Sequence, residues 1–246
     1  MPDVQMIDRG DGTRLAARHQ AGRGPTLMFL PGYMSDMGGT KATALMDWAI
    51  ASGRACLLLD YSGCGQSEGS FEAGTIRRWA ADALAVADAL APGALLPIGS
   101  SMGGWIMLHL ALARPDSIHA LVGIAAAPDF TRWGLALSAE EVERLAHQGF
   151  VSRPSAYADS PYRYSRALIE DAGGACLLDR PIGYAGPVRL LHGEADADVP
   201  WDISRRLMAA LQSEDVQLTL VKGGDHRLSA PAHLELLFRT IESLAP

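Results

Sequence analysis

Apolar residues follow two different rhythms along the chain. Five short runs are largely apolar, as expected of strands buried on both faces of a sheet: residues 26–30, 55–59, 94–98, 120–126 and 188–191. A sixth strand is predicted over 217–221. Between and after the strands, recurring apolar positions predict helices over 40–52, 76–90, 201–211 and 231–244, and residues 102–112 form an apolar stretch long enough for a buried helix. This alternation predicts an α/β fold with a mostly parallel sheet covered by helices on both faces.

The first quarter of the chain adds local detail. Segments 4–7 and 15–19 flank a Gly-Asp-Gly turn and predict an antiparallel pair of strands at one edge of the sheet. Thr40 is expected to cap the first helix. In the second helix, Asp82 and Asp88 are expected to face solvent.

The regular alternation stops at Pro128 and resumes after Pro187. The intervening sequence is mixed, with helical patterns over 139–147 and 164–171 and several prolines. We therefore expect a single domain over residues 1–246, with a short helical cap inserted at about 128–187. Six apolar or aromatic side chains of the cap are candidate pocket walls: Trp133, Leu135, Leu137, Tyr157, Tyr162 and Tyr164.

Residues 99–103 read Gly-Ser-Ser-Met-Gly, with Ser101 at the centre. They stand between a predicted strand and a predicted helix, which is the context of a nucleophile elbow. At such a turn the serine hydroxyl is exposed, and the helix N-terminus favours a developing oxyanion. The alternative is a glycine-rich turn with an incidental serine, which the flanking elements disfavour. Ser101 is the predicted nucleophile.

A serine nucleophile needs a histidine base that is oriented by a carboxylate, and in this architecture the chain order is serine, acid, histidine. His226 follows the strand predicted over 217–221 and is the predicted base. The loop after the preceding strand carries three candidate acids: Glu194, Asp196 and Asp198. Asp196 is favoured because the loop reads His-Gly-x-x-Asp-x-x-Val-Pro. Asp198 is second, and His192 is expected to be a packing residue.

Two backbone amides are expected to form the oxyanion hole. They are the N–H of Met102, which follows the nucleophile, and the N–H of Tyr33, which follows Pro-Gly after an early strand. The Tyr33 ring has the alternative role of packing beside the pocket. The acidic, glycine-rich loop 60–69 is predicted to be a structural turn, although Cys64 or Ser67 would be close enough to approach the cleft.

Charge and composition exclude several classes of function. A net charge of −7 and a pI of about 5.4 disfavour a nucleic-acid partner. No uncharged apolar run reaches the length of about 18 residues that a membrane span needs. The three cysteines lack metal-ligand spacing, so we expect free thiols, no metal and no cofactor. The first residues resemble no signal peptide, and a cytoplasmic location is expected.

Taken together, these motifs resemble the α/β-hydrolase superfamily along essentially the whole chain. Residues 29–33, 39–42, 60–63, 99–105 and 191–193 further resemble the acyl-protein thioesterases of that superfamily. The resemblance implies the triad Ser101, Asp196 and His226, and hydrolysis of acyl thioesters or esters of a small molecule or an acylated protein. A carbon–carbon hydrolase, a peptidase and a non-catalytic binding protein on the same fold are the alternatives. The sequence leaves the oligomeric state open.

Overall fold

The computed structural model describes residues 1–155 and 160–245. Within these residues the strands, in chain order, are β1 Gln5–Asp8, β2 Arg14–Gln20, β3 Arg23–Leu30, β4 Arg54–Leu59, β5 Leu95–Ser100, β6 Leu121–Ile124, β7 Phe150–Arg153, β8 Tyr162–Ser165, β9 Val188–Gly193 and β10 Val216–Val221. The helices are α1 Thr40–Ser52, α2 Ile76–Leu90, α3 Met102–Ala113, α4 Phe130–Trp133, α5 Ala139–Gln148, α6 Arg166–Ala175, α7 Asp202–Ala210 and α8 Pro231–Leu244.

Eight of the described strands form one sheet in the order β1-β2-β4-β3-β5-β6-β9-β10. The pairs β1–β2 and β2–β4 are antiparallel, and the remaining neighbours are parallel. β4 and β5 are buried along their whole length, which explains why their sequences are continuous apolar runs. The predicted α/β-hydrolase fold, with its antiparallel edge, is confirmed.

Two hydrophobic cores lie on opposite faces of this sheet. In β3, Met28 and Leu30 belong to one core, whereas Leu27 and Phe29 belong to the other. Because successive side chains of a strand point to opposite faces, this division shows that helices cover the sheet on both sides. Among the helices of the described ranges, none is long and apolar enough to cross a membrane.

Two predictions about the first helices are wrong. The N-cap of α1 is Gly39, and Thr40 is already helical, so its side chain does not cap the helix. Asp82 is fully buried, whereas Asp88 is exposed as predicted. Asp82 lies one turn after the buried Trp79, so its side chain is on the buried face of α2. Its carboxylate is paired with Arg9 and accepts a hydrogen bond from the Ser62 amide.

Between β6 and β9 the structure places α4, α5, the antiparallel hairpin β7–β8 and α6. The hairpin was not predicted, and α6 begins two residues later than expected because residues 162–165 pair with β7. Asp129, at the start of this segment, accepts hydrogen bonds from the amides of Leu177 and Leu178 near its end. One buried carboxylate therefore ties the two ends of the segment together.

Candidate active site

Ser101 lies at the sharp turn between β5 and α3. Its backbone has φ 53° and ψ −121°, a conformation that non-glycine residues rarely adopt. The turn is held because the Ser101 amide donates to the Ile124 carbonyl at 2.9 Å, and the Ser101 carbonyl accepts from the Gly104 amide at 2.9 Å. The surrounding backbone thus fixes the strained residue whose hydroxyl faces the cavity.

The glycines around Ser101 are required by close backbone approach. A Cβ at Gly103 would lie 2.0 Å from the carbonyl oxygen of Leu30, and one at Gly99 would lie 2.5 Å from the carbonyl oxygen of Gly103. Both distances are far below van der Waals contact, so no other residue type fits at either position without a backbone shift. The tight strand–turn–helix junction therefore requires the two glycines of the sequence motif.

The structure brings Ser101, His226 and Asp196 together. Nε2 of His226 lies 3.1 Å from Oγ of Ser101, and its Nδ1 lies 2.8 Å from Oδ2 of Asp196. The other carboxylate oxygen accepts from the amides of Asp198 and Val199, each at 2.9 Å. The three side chains come from loops that follow β5, β9 and β10, at the carboxyl ends of parallel strands.

The electrostatics of the site keep Asp196 ionised. Its side chain has no solvent exposure. Burial raises the pKa of this carboxyl, but hydrogen bonds from His192, His226 and the Val199 amide outweigh burial and hold the pKa well below its usual value. Because an ionised carboxylate only accepts hydrogen bonds, Nδ1 of His226 carries the proton. Its Nε2 is then the lone-pair nitrogen facing the Ser101 hydroxyl.

The other two candidate acids lie elsewhere in the same loop. Glu194 accepts a hydrogen bond from the Gly223 amide at 3.2 Å. The Asp198 side chain is exposed and lines the cavity, while its amide supports Asp196. Asp196 is the carboxylate that accepts from Nδ1 of His226, at 2.8 Å.

His192 has more than the packing role predicted for it. The ring is fully buried, as expected, but both nitrogens are engaged: Nδ1 lies 2.7 Å from Oγ of Ser204, and Nε2 lies 2.9 Å from the Val199 carbonyl. The same Nε2 is 3.2 Å from Oδ2 of Asp196. The signal in the sequence was the spacing of four residues between His192 and Asp196.

A cavity of about 600 Å³ opens beside Ser101 and His226. Tyr33 and Met102 line it, and neither of their amides takes part in the backbone–backbone hydrogen bonds of turns and loops found in the described chain. The two residues whose amides are predicted to form an oxyanion hole therefore line the same cavity as Ser101.

The Tyr33 side chain also packs beside the pocket, so both roles considered for this residue are compatible. Its ring lies 5.2–6.1 Å from a set of aromatic rings: Phe71, Trp79, Phe130, Tyr162 and Tyr164. The phenol donates a hydrogen bond to the Arg163 carbonyl. Burial raises the pKa of this phenol far above its usual value. It is therefore a neutral hydrogen-bond donor.

Four of the six side chains expected to wall the pocket line this cavity: Trp133, Leu135, Tyr162 and Tyr164. Leu137 does not, and Tyr157 lies outside the described residues. Lys41 also lines the cavity, and its ammonium donates to the Arg227 carbonyl. Burial lowers the pKa of Lys41 to about 8. Lys41 and several aromatic rings thus line the same cavity.

Loop 60–69 is a structural turn, as predicted. Asp60 accepts from the amides of Met37 and Gln66, and Ser67 donates to the Asp60 carbonyl. Cys64 is buried and does not line the cavity. Neither Cys64 nor Ser67 is therefore placed to act in the cleft.

Within the described ranges, one group of side chains has ligand atoms close enough to hold a metal ion: Asp196, Asp198 and His226, all within 4.8 Å of one another. Two of these three already bond each other through Oδ2 and Nδ1. A cation at this point would have to replace that hydrogen bond. This arrangement suits a carboxylate that orients an imidazole better than it suits a metal centre.

The sequence model of the alpha/beta hydrolase family matches residues 27–236, and the chain belongs to this family. It is a hydrolase. Human mitochondrial palmitoyl-protein thioesterase ABHD10 is 39% identical over 244 residues, covering 98% of this chain and 79% of the human protein.

Solved structures agree with this assignment. A putative hydrolase from Agrobacterium vitis S4 superimposes with a TM-score of 0.94 at 38% identity, covering 99% of this chain and 98% of that one. Alpha/beta hydrolase domain-containing protein 10 from mouse superimposes with a TM-score of 0.90 at 38% identity, covering 98% of each chain.

The relatives contradict the expected cytoplasmic location. The human, orangutan (Pongo abelii) and cattle (Bos taurus) proteins are all named as mitochondrial. The expectation rested on first residues that resemble no signal peptide and on free cysteines, and neither feature distinguishes the cytoplasm from the mitochondrion.

Proposed function

We propose that this hydrolase cleaves acyl thioesters and carboxylic esters through an acyl-enzyme on Ser101. The observation that carries the proposal is the continuous hydrogen-bonded chain from Ser101 Oγ through His226 to Asp196, with distances of 3.1 and 2.8 Å. A serine hydroxyl is a weak nucleophile on its own, and a base oriented by a buried carboxylate activates it.

In the first half-reaction, Oγ of Ser101 attacks the acyl carbonyl while Nε2 of His226 accepts the hydroxyl proton. The amides of Tyr33 and Met102 stabilise the negative charge that develops on the carbonyl oxygen. When the tetrahedral intermediate collapses, the bond to the leaving group breaks. The proton on His226 passes to the departing oxygen or sulfur, and the acyl group remains on Ser101.

The second half-reaction repeats these steps with water. His226 accepts a proton from the water, whose oxygen attacks the acyl carbonyl, and then returns the proton to Oγ of Ser101 as the carboxylic acid leaves. Asp196 stays ionised throughout and stabilises the transient imidazolium. The net reaction consumes the acyl substrate and one water, and it releases the carboxylic acid and the alcohol or thiol.

We also propose that the segment between Pro128 and Pro187 acts as a cap over this site within a single domain. The apolar side chains that it contributes to the cavity include Phe130, Trp133, Leu135, Tyr162 and Tyr164. An acyl chain lying against them gains up to about 0.8 kcal/mol for each buried methylene. We therefore propose that medium and long acyl chains are preferred over acetyl.

Thioesters are proposed as the better substrates. Thiolates leave readily, so collapse of the intermediate needs little help from protonated His226. The name of the human and mouse relatives, palmitoyl-protein thioesterase, supports both the thioester and the long acyl chain. An acylated protein and a small-molecule acyl thioester are both compatible with a cavity that is open to solvent at the exposed Asp36 and Asp198.

The experiment is a series of acyl thioesters and matched oxygen esters, from acetyl to palmitoyl, measured at fixed enzyme concentration. The expected kcat/KM rises with chain length until the cavity is filled and is higher for the thioester of each pair. Ser101→Ala is the control for hydrolysis that does not use the site. A maximum at acetyl, with no turnover of longer chains, would make the protein a small-ester hydrolase instead.

A further inference from the structure

His192 touches three parts of the loop that carries Asp196. The residue belongs to β9, the strand before the loop, and its side chain has no solvent exposure. Nδ1 lies 2.7 Å from Oγ of Ser204 on α7, the helix after the loop. Nε2 lies 2.9 Å from the Val199 carbonyl and 3.2 Å from Oδ2 of Asp196. The ring thus connects the strand, the carboxylate and the helix.

These partners show which ring nitrogen must carry a hydrogen. A carbonyl oxygen and an ionised carboxylate can only accept, so Nε2 carries the hydrogen. The hydroxyl of Ser204 is a partner for Nδ1, so both nitrogens are paired. Because a buried polar ring costs free energy only when a nitrogen is left unpaired, this arrangement is compatible with complete burial.

The loop held by His192 is the loop that orients Asp196. The amides of Asp198 and Val199 hold one carboxylate oxygen, and the Val199 carbonyl is itself bonded to His192. The other carboxylate oxygen, Oδ2, lies between the rings of His192 and His226. Without the His192 ring, the Val199 carbonyl loses its bond to the strand residue, and Oδ2 loses one of its two imidazole neighbours.

We propose that His192 is a positioning residue that holds Asp196 in line with Nδ1 of His226. The inference rests on the proposed function, since it requires Asp196 to orient the base. His192 does not line the cavity, so its effect on catalysis passes through Asp196.

The test is a double-mutant cycle between His192→Leu and Asp196→Asn, with an activated nitrophenyl ester as the probe substrate. In the otherwise unchanged enzyme, His192→Leu lowers kcat roughly 10- to 100-fold, the loss typical of removing a group that orients a functional side chain, and changes KM by less than about threefold. On top of Asp196→Asn, the same substitution costs less than about threefold more, because the residue it positions has already lost its function.

His192→Gln is the rescue variant, because its amide N–H reaches the place of Nε2 and restores a donor to Asp196 and Val199. It is expected to recover most of kcat. His109→Leu is the matched control: that ring also bonds a carbonyl, that of Ala175, but lies outside the cavity, and its loss leaves kcat unchanged. If His192→Leu fails to fold, Ser204→Ala takes its place in the cycle, since it removes the donor that fixes the ring.

Full additivity in the cycle, or a Gln variant as slow as the Leu variant, would overturn the positioning role of His192. Failure of the proposed function has a different signature. In that case Ser101→Ala retains turnover, whatever the His192 variants do.

Discussion

The phenol of Tyr33 donates a hydrogen bond to the backbone carbonyl of Arg163, which lies on β8. Tyr33 lines the cavity beside Ser101, and its side chain is bonded to the segment proposed as a cap. Tyr33 therefore connects the proposed cap to the proposed oxyanion hole, so a shift of one is expected to affect the other.

Tyr33→Phe removes this hydrogen bond but keeps the ring and the backbone amide. A neutral hydrogen bond contributes about 1 kcal/mol, so KM for a long-chain acyl substrate should rise by about fivefold while kcat stays nearly constant. Steady-state kinetics measure both values. Tyr184→Phe is the control, because in the described chain its buried hydroxyl has no hydrogen-bond partner. A fall in kcat with constant KM would contradict the separation of the two roles.

Asp196→Asn and Asp198→Asn separate the two candidate acids. Asp196→Asn leaves His226 without its anionic partner and should lower kcat on the order of 10⁴-fold, as expected for a triad acid. Asp198→Asn keeps the amide that supports Asp196 and should cost far less. The measurement is kcat of the two purified variants. A larger loss for Asp198→Asn than for Asp196→Asn would identify Asp198 as the acid.

The pH dependence follows from which groups change charge. The pKa of Asp196 lies below its usual value, so this carboxylate stays ionised above about pH 4 and its effect is lost only as the pH falls through the lowered pKa. A histidine base has to be neutral to accept the Ser101 proton. The expected kcat/KM therefore rises between acidic and neutral pH, because a protonated imidazole cannot accept the proton, and then levels off. A profile that is flat across this range would argue against His226 as the base.

Gly103→Ala tests the close approach at the elbow. The added Cβ would lie 2.0 Å from the Leu30 carbonyl oxygen, so the free energy of unfolding should fall by roughly 2–3 kcal/mol. Gly173→Ala in α6 is the matched control, since a Cβ there meets no atom within 4 Å and alanine favours a helix by roughly 0.5–1 kcal/mol. Denaturant unfolding of both variants measures the contrast. Equal stability of the two would show that the junction is looser than described.

Much of the fold could be predicted because its signals are local. The buried strands are continuous apolar runs, and the glycines at 99 and 103 mark a junction that no side chain can enter. The proximity of Ser101, His226 and Asp196 could be predicted from motif and chain order, although the choice among three acids of one loop depends on the motif alone. The contact between Asp196 and His226 spans 30 residues and is fixed by the packing of β9 beside β10.

Features that depend on distant partners could not be predicted. Burial of Asp82 is favourable only because Arg9 and the Ser62 amide meet its carboxylate. The β7–β8 hairpin has no apolar alternation strong enough to distinguish it from a loop, and its pairing is set by residues 150–153 and 162–165 together. The polar contacts of His192 come from Ser204 and Val199, which become its neighbours only in the folded loop.

The central claim is that Ser101 is the nucleophile, and covalent labelling tests it most directly. The enzyme is treated with a fluorophosphonate, which forms a stable bond with an activated serine, and the labelled peptide is identified by mass spectrometry. The account predicts one label per chain, on Ser101, with Ser101→Ala remaining unlabelled, folded and on the order of 10⁶-fold slower in ester hydrolysis. A label on Ser100 or elsewhere, or a Ser101→Ala variant that keeps its turnover, would contradict it.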